Sequence, residues 1–207
     1  WPLTRVEPIQ ATLPRPLQAE AVLATSAHGI RGFAALSERR DLPVFCVGDR
    51  TAEVARGLGF GLCLSASGRS ADLIQLARQS GLRRFIYPRG RDVSVDLAQA
   101  LEAAGHRVHQ AVVYAAVPAG PPPAPVAAAF RAGEIPVVTV WSARNASVLA
   151  RWLDDSGPFP LTSATLVAIS RAASQPAENS GFGHISVAER SDAAGMLAAV
   201  RSALPAK

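Results

Sequence analysis

The sequence has few cysteines, few aromatic residues and no long apolar run. Its 207 residues include only Cys46 and Cys63, which lie in apolar stretches and are too few to form a zinc site alone. No apolar run approaches the roughly 18 residues that a membrane helix needs, and residues 1–7 lack the basic and apolar regions of a signal peptide. We therefore expect two buried thiols, no membrane span and a reducing cytoplasmic location.

Several sequence motifs of nucleotide-binding proteins and hydrolases are absent as well. There is no Gly-x-x-x-x-Gly-Lys-Ser/Thr loop and no Gly-x-Gly-x-x-Gly after a strand, which argues against an NTPase and against a dinucleotide oxidoreductase. There is no Gly-x-Ser-x-Gly elbow. The four histidines lack metal-ligand spacing with acidic or cysteine partners, so no metal site is predicted.

The charge is positive and almost entirely arginine. The formal net charge is +5, the pI is near 10.2, and Lys207 is the only lysine. Codon bias is one explanation; a polyanionic partner is the other, since guanidinium groups bind carboxylates and phosphates through paired hydrogen bonds. The arginines are spread along the chain without interleaved aromatic residues, so we expect no nucleic-acid partner.

Short apolar segments alternate with amphipathic segments along most of the chain. Strands are predicted over residues 21–26, 43–47, 62–64, 84–87, 108–117, 137–140, 166–169 and 185–187. Helices are predicted over residues 27–40, 50–58, 70–79, 95–104, 126–132, 143–153 and 193–204. This alternation predicts an α/β fold with doubly wound parallel sheets, and the mostly apolar strands indicate that helices cover both sheet faces.

Proline-rich stretches and an internal repeat divide the chain. We expect a connecting segment over 1–18, a central lobe over 19–113, a linker over 114–125 and a terminal lobe over 126–207. The lobes repeat each other, because Val22–Ala27 aligns with Val138–Ala143 and Gly59–Gly61 aligns with Gly181–Gly183. The terminal lobe has one βα unit fewer, so either it is smaller or the chain lacks an N-terminal strand and helix that would complete it.

Hydroxyl groups lie where predicted strands end and helices begin. These hydroxyls belong to Thr25, Ser26, Thr51, Ser142 and Ser170. Ala27 follows Ser26, Gly48 lies three residues before Thr51, and Ala143 follows Ser142. Taken singly, each suits helix capping. Taken together, these helix N-termini would expose amides and partial positive charge, which favours a ligand with many carboxylates or phosphates.

Three further residues allow both a structural and a functional interpretation. Arg89 and Gly90 either belong to a turn with solvated arginines or bind a ligand carboxylate through the arginine and the glycine amide. Tyr114 either packs on an edge strand or donates a proton to a leaving hydroxyl. His28 follows Ser26 closely enough to touch a bound ligand.

Short motifs in a fixed order make the chain resemble the uroporphyrinogen-III synthase family. They are Thr25-Ser26-Ala27, Val47–Ala52, Gly59-Phe60, Arg89-Gly90, Gly105–Val108, Val113-Tyr114, Ser142-Ala143, Ala168–Ser170 and Val187–Glu189. The resemblance covers nearly the whole chain. It implies two α/β lobes joined by a two-stranded linker, with the active site in the inter-lobe cleft, in a cytoplasmic, monomeric enzyme without a cofactor.

The resemblance also implies a reaction and roles for individual residues. The substrate would be hydroxymethylbilane, a linear tetrapyrrole with eight carboxylates, which is cyclised with inversion of ring D and loss of water. Tyr114 would assist departure of the hydroxyl. Substrate would bind at Thr25, Ser26, Ala27, Gly48, Thr51, Arg89, Gly90, Ser142, Ala143 and Ser170.

The sequence also departs from the family pattern and leaves other functions open. Ala172 and Ala173 stand where the family often has threonines, and the first residues match the family's connecting segment instead of its first strand and helix. A non-catalytic two-lobed protein that binds a small polyanion is the alternative function. A nucleic-acid-binding regulator is a third, which strongly salt-dependent DNA binding would reveal.

Overall fold

The computed structural model describes residues 1–93 and 95–204. In this part of the chain the strands are β1 Thr4–Pro8, β2 Ala21–Ala24, β3 Val44–Cys46, β4 Cys63–Ser65, β5 Arg84–Gly90, β6 Arg107–Pro118, β7 Val137–Val140, β8 Thr165–Ala168 and β9 His184–Val187. The helices are α1 Ala27–Leu36, α2 Asp49–Gly57, α3 Ser70–Gln79, α4 Leu97–Glu102, α5 Ala124–Ala132, α6 Ala143–Ser156, α7 Arg171–Ser174 and α8 Ala193–Ala203. A 3₁₀ helix over Gln175–Ala177 follows α7.

The chain forms two compact units. The central unit is Val6–Val117, and the terminal unit combines Trp1–Arg5 with the residues from Pro118 onward. Both unit boundaries fall inside strands, because β1 and β6 each continue from one unit into the other. These strands run in opposite directions, since Ala119 N donates to Leu3 O while Ile9 N donates to Val113 O.

The central unit contains a six-stranded sheet in the order β1-β6-β5-β2-β3-β4. From β6 to β4 every neighbouring pair is parallel. On one face, Ile30 and Phe33 of α1 pack with the alanines of α2. On the other face, Leu73 of α3 and Leu101 of α4 pack on Phe85. Helices therefore cover both faces, which confirms the doubly wound prediction and explains why β2 is entirely apolar.

The terminal unit contains a parallel three-stranded sheet in the order β7-β8-β9. Leu149 and Leu153 of α6 pack on one face of this sheet, and Met196 of α8 packs with Val167 on the other. Trp152 extends the first core by stacking on Phe159, with ring centroids 4.9 Å apart. The terminal unit thus repeats the layered arrangement with fewer strands.

Helix α1 is shorter than predicted. The sequence pattern extended it to residue 40, but the helix ends at Leu36 and Ser37 is extended, with φ −142°. The guanidinium of Arg40 folds back and donates to the carbonyl oxygens of Ala34 and Ser37. Because these carbonyls receive side-chain hydrogen bonds, the helix can stop without leaving them unpaired.

Strand β5 is longer than predicted, and it contains a proline. The predicted strand stopped at Tyr87, with a turn from there to Arg91, whereas β5 runs through Pro88 to Gly90. Its pairing with β2 ends at Val22 opposite Ile86, so beyond that point only β6 flanks it. A proline, which cannot donate a backbone hydrogen bond, is tolerated where one side of a strand is unpaired.

The two cysteines are free, and they differ in environment. Cys46 is fully buried in β3, and this burial raises the pKa of its thiol to about 12. Cys63 is only half-buried, so the expectation of two buried thiols is correct for Cys46 and wrong for Cys63. Within the described ranges, no helix is long and apolar enough to span a membrane.

Two glycines let α1 lie directly against the sheet. A Cβ on Gly29 would lie 2.4 Å from the carbonyl oxygen of Pro88 in β5. A Cβ on Gly32 would lie 2.5 Å from a methyl group of Val113 in β6. These contacts determine how closely α1 lies against β5 and β6.

Replacing Gly32 should therefore destabilise the protein. We expect Gly32→Ala to lower the free energy of unfolding by about 1–3 kcal/mol, because the new methyl group overpacks against Val113. Gly57→Ala is the matched control, since Gly57 is helical with nothing within 4 Å of its added Cβ, and it should stabilise by about 0.5–1 kcal/mol. Urea denaturation of both variants measures this, and equal effects would contradict the packing account.

Candidate functional site

The sequence-predicted residues of the central unit lie at one edge of its sheet. Parallel strands end at the same edge, and the helices that follow begin there. Thr25 and Ser26 follow β2, Gly48 follows β3, Gly90 ends β5, and Tyr114 lies beside Gly90 in β6. The fold therefore brings together residues that are far apart in sequence.

Ser26 connects the start of α1 to Tyr114. Its Oγ accepts a hydrogen bond from the amide of Gly29 at 3.1 Å, so Ser26 is the N-cap of α1. The same oxygen lies 2.9 Å from the Tyr114 hydroxyl, with which it forms a second hydrogen bond. One serine thus closes the helix and holds the tyrosine hydroxyl at the helix N-terminus.

The phenol ring of Tyr114 is half-buried and closely surrounded. The imidazole of His28, in the first turn of α1, lies against it with ring centroids 5.5 Å apart and planes tilted by 46°. Gly90 lies on another side, where an added Cβ would be 2.9 Å from two ring carbons. The Tyr114 ring therefore lies against both the Gly90 backbone and the exposed His28.

Thr25 and Tyr87 form a second hydroxyl pair, which sequence reasoning did not anticipate. The Thr25 hydroxyl lies 3.2 Å from the Tyr87 hydroxyl, and Tyr87 is only 2% exposed. Burial raises the pKa of the Tyr87 phenol, and the hydrogen bond from Thr25 partly opposes that increase. The apolar pattern of β5 indicated burial of Tyr87 but contained no signal for this partner.

Arg89 lies at the same edge with its guanidinium already engaged. Its Nε donates to the side-chain oxygen of Gln110 at 2.7 Å, and its Nη1 donates to the carbonyl oxygens of Gly90 and Arg91. These bonds hold the end of β5 in place. Arg89 therefore lies in a strand with its guanidinium bonded to the protein, so the interpretation as a solvated arginine in a turn is wrong, and its role as a carboxylate ligand stays a prediction.

The start of α2 has no side-chain cap. Gly48 is its N-cap and has an extended backbone, while Thr51 is 7% exposed and donates its amide to the carbonyl oxygen of Gly48. The loop between β4 and α3 lies close to Gly48, since a Cβ on Gly48 would be 3.5 Å from the Cα of Gly68. At the end of β4 the Oγ of Ser65 is enclosed and has no hydrogen-bond partner among the described residues. The helix amides at Gly48 are thus more available to a ligand than the enclosed Thr51 side chain.

The terminal unit repeats the capping arrangement. The Ser142 hydroxyl accepts from Asn145 N at the start of α6, where Ala143 is the first helical residue. Ser170 accepts from Ala173 N at the start of the four-residue α7. All three predicted serines therefore cap helices, which confirms the capping interpretation. Substrate binding by these serines stays a prediction.

The chemistry available at the central edge is that of hydroxyl groups and backbone amides. Across residues 1–93 and 95–204 there is no group of three His, Cys, Asp or Glu side chains that could hold a metal ion. The edge offers the two tyrosine–hydroxyl pairs and the N-termini of α1 and α2. Such an arrangement can bind anions at the helix N-termini and transfer a proton from a phenol.

Comparisons with known proteins agree on one family. The sequence model of uroporphyrinogen-III synthase HemD matches residues 1–198. The chain is structurally similar to a uroporphyrinogen-III synthetase from Helicobacter pylori, with 16% identity, a TM-score of 0.67, and coverage of 97% of this chain and 90% of that one. It is also similar to a mutant uroporphyrinogen III synthase from Thermus thermophilus, with 17% identity, a TM-score of 0.51, and coverage of 98% and 87%. The search of the curated proteins found no match to this chain.

The fold and the matched family together define the class of protein. The two-unit α/β architecture is shared with the solved structures, and the family match spans almost the entire chain. The chain belongs to the uroporphyrinogen-III synthase family, whose members are cyclising lyases of haem and tetrapyrrole biosynthesis acting on a small molecule. The alternatives of a non-catalytic binding protein and a nucleic-acid regulator are therefore not supported.

The buried Tyr87 phenol gives a testable pH dependence. The chain has two tyrosines, so a Tyr114→Phe variant leaves Tyr87 as the only phenol, and ultraviolet absorbance of the phenolate then reports its ionisation. We expect its pKa to lie above the ordinary value of 10.0 in the folded protein. Replacing Thr25 with valine should raise that pKa further, since the hydrogen bond that lowers it is lost.

The same shift predicts a stability change with a definite sign. Because folding favours the neutral phenol, the contribution of Tyr87 to stability is complete below the unfolded-state pKa and is lost as the pH rises from there through the folded-state pKa. Tyr87→Phe should reduce this alkaline loss of stability. A Tyr87 ionisation midpoint equal to that in urea would show that the phenol is not shielded in the folded protein.

Proposed function

We propose that this enzyme converts hydroxymethylbilane to uroporphyrinogen III at the sheet edge that carries Ser26 and Tyr114. The observation that carries the proposal is the 2.9 Å hydrogen bond between these hydroxyls at the N-terminus of α1. It places a phenol, which can donate a proton, beside helix amides, which can bind an anion. Hydroxymethylbilane needs both, since it loses a hydroxyl group and carries eight carboxylates.

Carboxylate binding is supported by the free amides of the helix N-termini. The first amides of a helix lack partners inside the helix, and the helix dipole adds partial positive charge there. In α1 the Ser26 side chain satisfies Gly29, which leaves the amides of Ala27 and His28 for a ligand. In α2 the cap is Gly48, without a side chain, so the substrate can approach the amides directly. In the terminal unit, α6 offers the same arrangement after Ser142.

Tyr114 supplies the proton for the first chemical step. The phenol protonates the terminal hydroxyl of the substrate, the carbon–oxygen bond breaks, and water leaves. The products of this step are an azafulvenium cation and a phenolate, so charge is conserved. The substituted carbon of ring D then attacks the cation, and the resulting spiro intermediate fragments and closes again. The proton that is lost in the final closure returns to the phenolate, and Tyr114 is regenerated.

The main task of the enzyme is to select one ring closure over another. Hydroxymethylbilane closes readily by itself to the wrong isomer, so a strong acid or base is not required. Holding the carboxylates at fixed helix N-termini keeps ring D in the orientation that leads to the spiro intermediate. The rigid packing of α1 on β5 and β6, through Gly29 and Gly32, supports this role.

The proposal includes a monomeric enzyme in the cytoplasm. The Tyr114 environment is built from Ser26, His28 and Gly90 of the same chain, so a second copy is not needed to complete it. The family resemblance implies the same oligomeric state and location. Sedimentation at several protein concentrations would test the first point, and fractionation of cells would test the second.

Removing the Tyr114 hydroxyl tests the proposed role directly. We expect Tyr114→Phe to keep the fold and to lower kcat by about five- to tenfold. This is less than the factor of about 10²–10⁴ typical of general acids, because the pyrrole ring itself expels the hydroxyl. The assay generates hydroxymethylbilane in place, oxidises the products and separates the type I and type III isomers. Tyr87→Phe is the matched control, since it removes a phenol hydroxyl from the neighbouring strand, and it should stay within about twofold of the unmodified enzyme.

Two results would count against the proposal. An unchanged type III rate in Tyr114→Phe would remove the phenol from the mechanism. Type I product alone from the unmodified chain, at the rate seen without enzyme, would contradict the assignment of hydroxymethylbilane as its substrate.

A further inference from the structure

Gly90 lies closer to the Tyr114 ring than any residue with a side chain could. A Cβ built on Gly90 would be 2.9 Å from both Cε2 and Cζ of Tyr114 and 3.1 Å from its hydroxyl oxygen. The φ angle of Gly90 lies outside the left-handed region, so its backbone conformation does not require glycine. Glycine is therefore required at this position because a side chain would occupy the space of the Tyr114 phenol ring.

The backbone around Gly90 cannot easily move away from Tyr114. The register between β5 and β6 shifts here, since Arg89 pairs with Val112 whereas Gly90 pairs with Tyr114. Immediately afterwards, Arg91 N donates to the Tyr114 carbonyl oxygen at 2.8 Å. Such irregularities re-aim a side chain, and here the extra residue in β6 brings the ring of Tyr114 over the end of β5.

Ser26 holds the other end of the same side chain. Its Oγ already accepts the Gly29 amide, so its own proton is free to be donated to the Tyr114 oxygen 2.9 Å away. In that arrangement the Tyr114 proton is not used by Ser26 and stays available to the substrate. When the phenol becomes a phenolate, the Ser26 hydroxyl still donates to it and stabilises the charge.

We propose that Gly90 is a positioning residue that sets the location of the Tyr114 hydroxyl. Its missing side chain lets the ring rest on the β5 backbone, which places the hydroxyl within reach of Ser26. This inference rests on the proposed function of Tyr114 as the proton donor. It also differs from the sequence-based prediction for Gly90, which assigned its amide to a substrate carboxylate.

The test measures kcat and KM for Gly90→Ala in the coupled isomer assay. An added methyl group would displace the phenol, so we expect kcat to fall by about as much as in Tyr114→Phe, with KM within about twofold. Gly61→Ala is the matched control, because nothing lies within 4 Å of a Cβ at Gly61, and it should leave both constants unchanged. In a Tyr114→Phe background, Gly90→Ala should lower kcat no further, since the hydroxyl to be positioned is already gone.

The outcomes separate this inference from the function on which it rests. An unchanged kcat in Tyr114→Phe would refute the proton-donor role, and with it this inference. A reduced kcat in Tyr114→Phe with an unchanged kcat in Gly90→Ala would refute the positioning role alone. A raised KM with unchanged kcat in Gly90→Ala would instead assign Gly90 to carboxylate binding. Equal losses of kcat from Gly90→Ala in both backgrounds would also refute the positioning role, because the loss would then not depend on the Tyr114 hydroxyl.

A stability measurement covers the case in which Gly90→Ala does not fold. Truncating the tyrosine to alanine removes the ring that the new methyl group would meet. Gly90→Ala combined with Tyr114→Ala should therefore melt at a higher temperature than the sum of the two single effects predicts. Additive changes in Tm would show that the ring does not occupy the space beside Gly90, and this would overturn the inference.

Discussion

The hydrogen bond between Ser26 and Tyr114 is the interaction on which the site depends. It joins the N-terminus of α1 to β6, and the two residues that form it are 88 positions apart in sequence. The same serine oxygen caps the helix, so the local geometry of α1 determines where the tyrosine hydroxyl lies. A phenol is thereby fixed beside amides that favour negative charge, and the proposed chemistry needs both in one place.

Close backbone contacts make that geometry rigid. Gly29 and Gly32 let α1 rest on β5 and β6, and Gly90 lets the Tyr114 ring rest on the end of β5. In each case a single methyl group would occupy space that a neighbour already fills. Rigidity matters for the proposed reaction because its competing ring closure needs no enzyme, so selectivity would depend on holding the substrate in one conformation.

The sequence alone predicted the architecture well but predicted the site only in part. Apolar strands alternating with helices specified parallel sheets with both faces covered, because local patterns determine these features. Strand-end hydroxyls identified Ser26, Ser142 and Ser170 as helix caps. The partner of Ser26 could not be predicted, since the pairing of Gly90 with Tyr114 depends on a register shift that follows no local pattern. The continuation of β5 through Pro88 was missed because no local pattern shows that pairing with β2 ends at Ile86, which leaves the proline on an unpaired side of the strand.

A crystal structure of this chain with uroporphyrinogen III, grown without oxygen, would test the central claim most directly. The account predicts product carboxylates on the first amides of α1 and α2. It also predicts the Tyr114 hydroxyl next to the bridging carbon that carried the departing hydroxyl, with the bond to Ser26 intact. Carboxylates bound only by surface arginines, with the phenol turned away from the macrocycle, would contradict it.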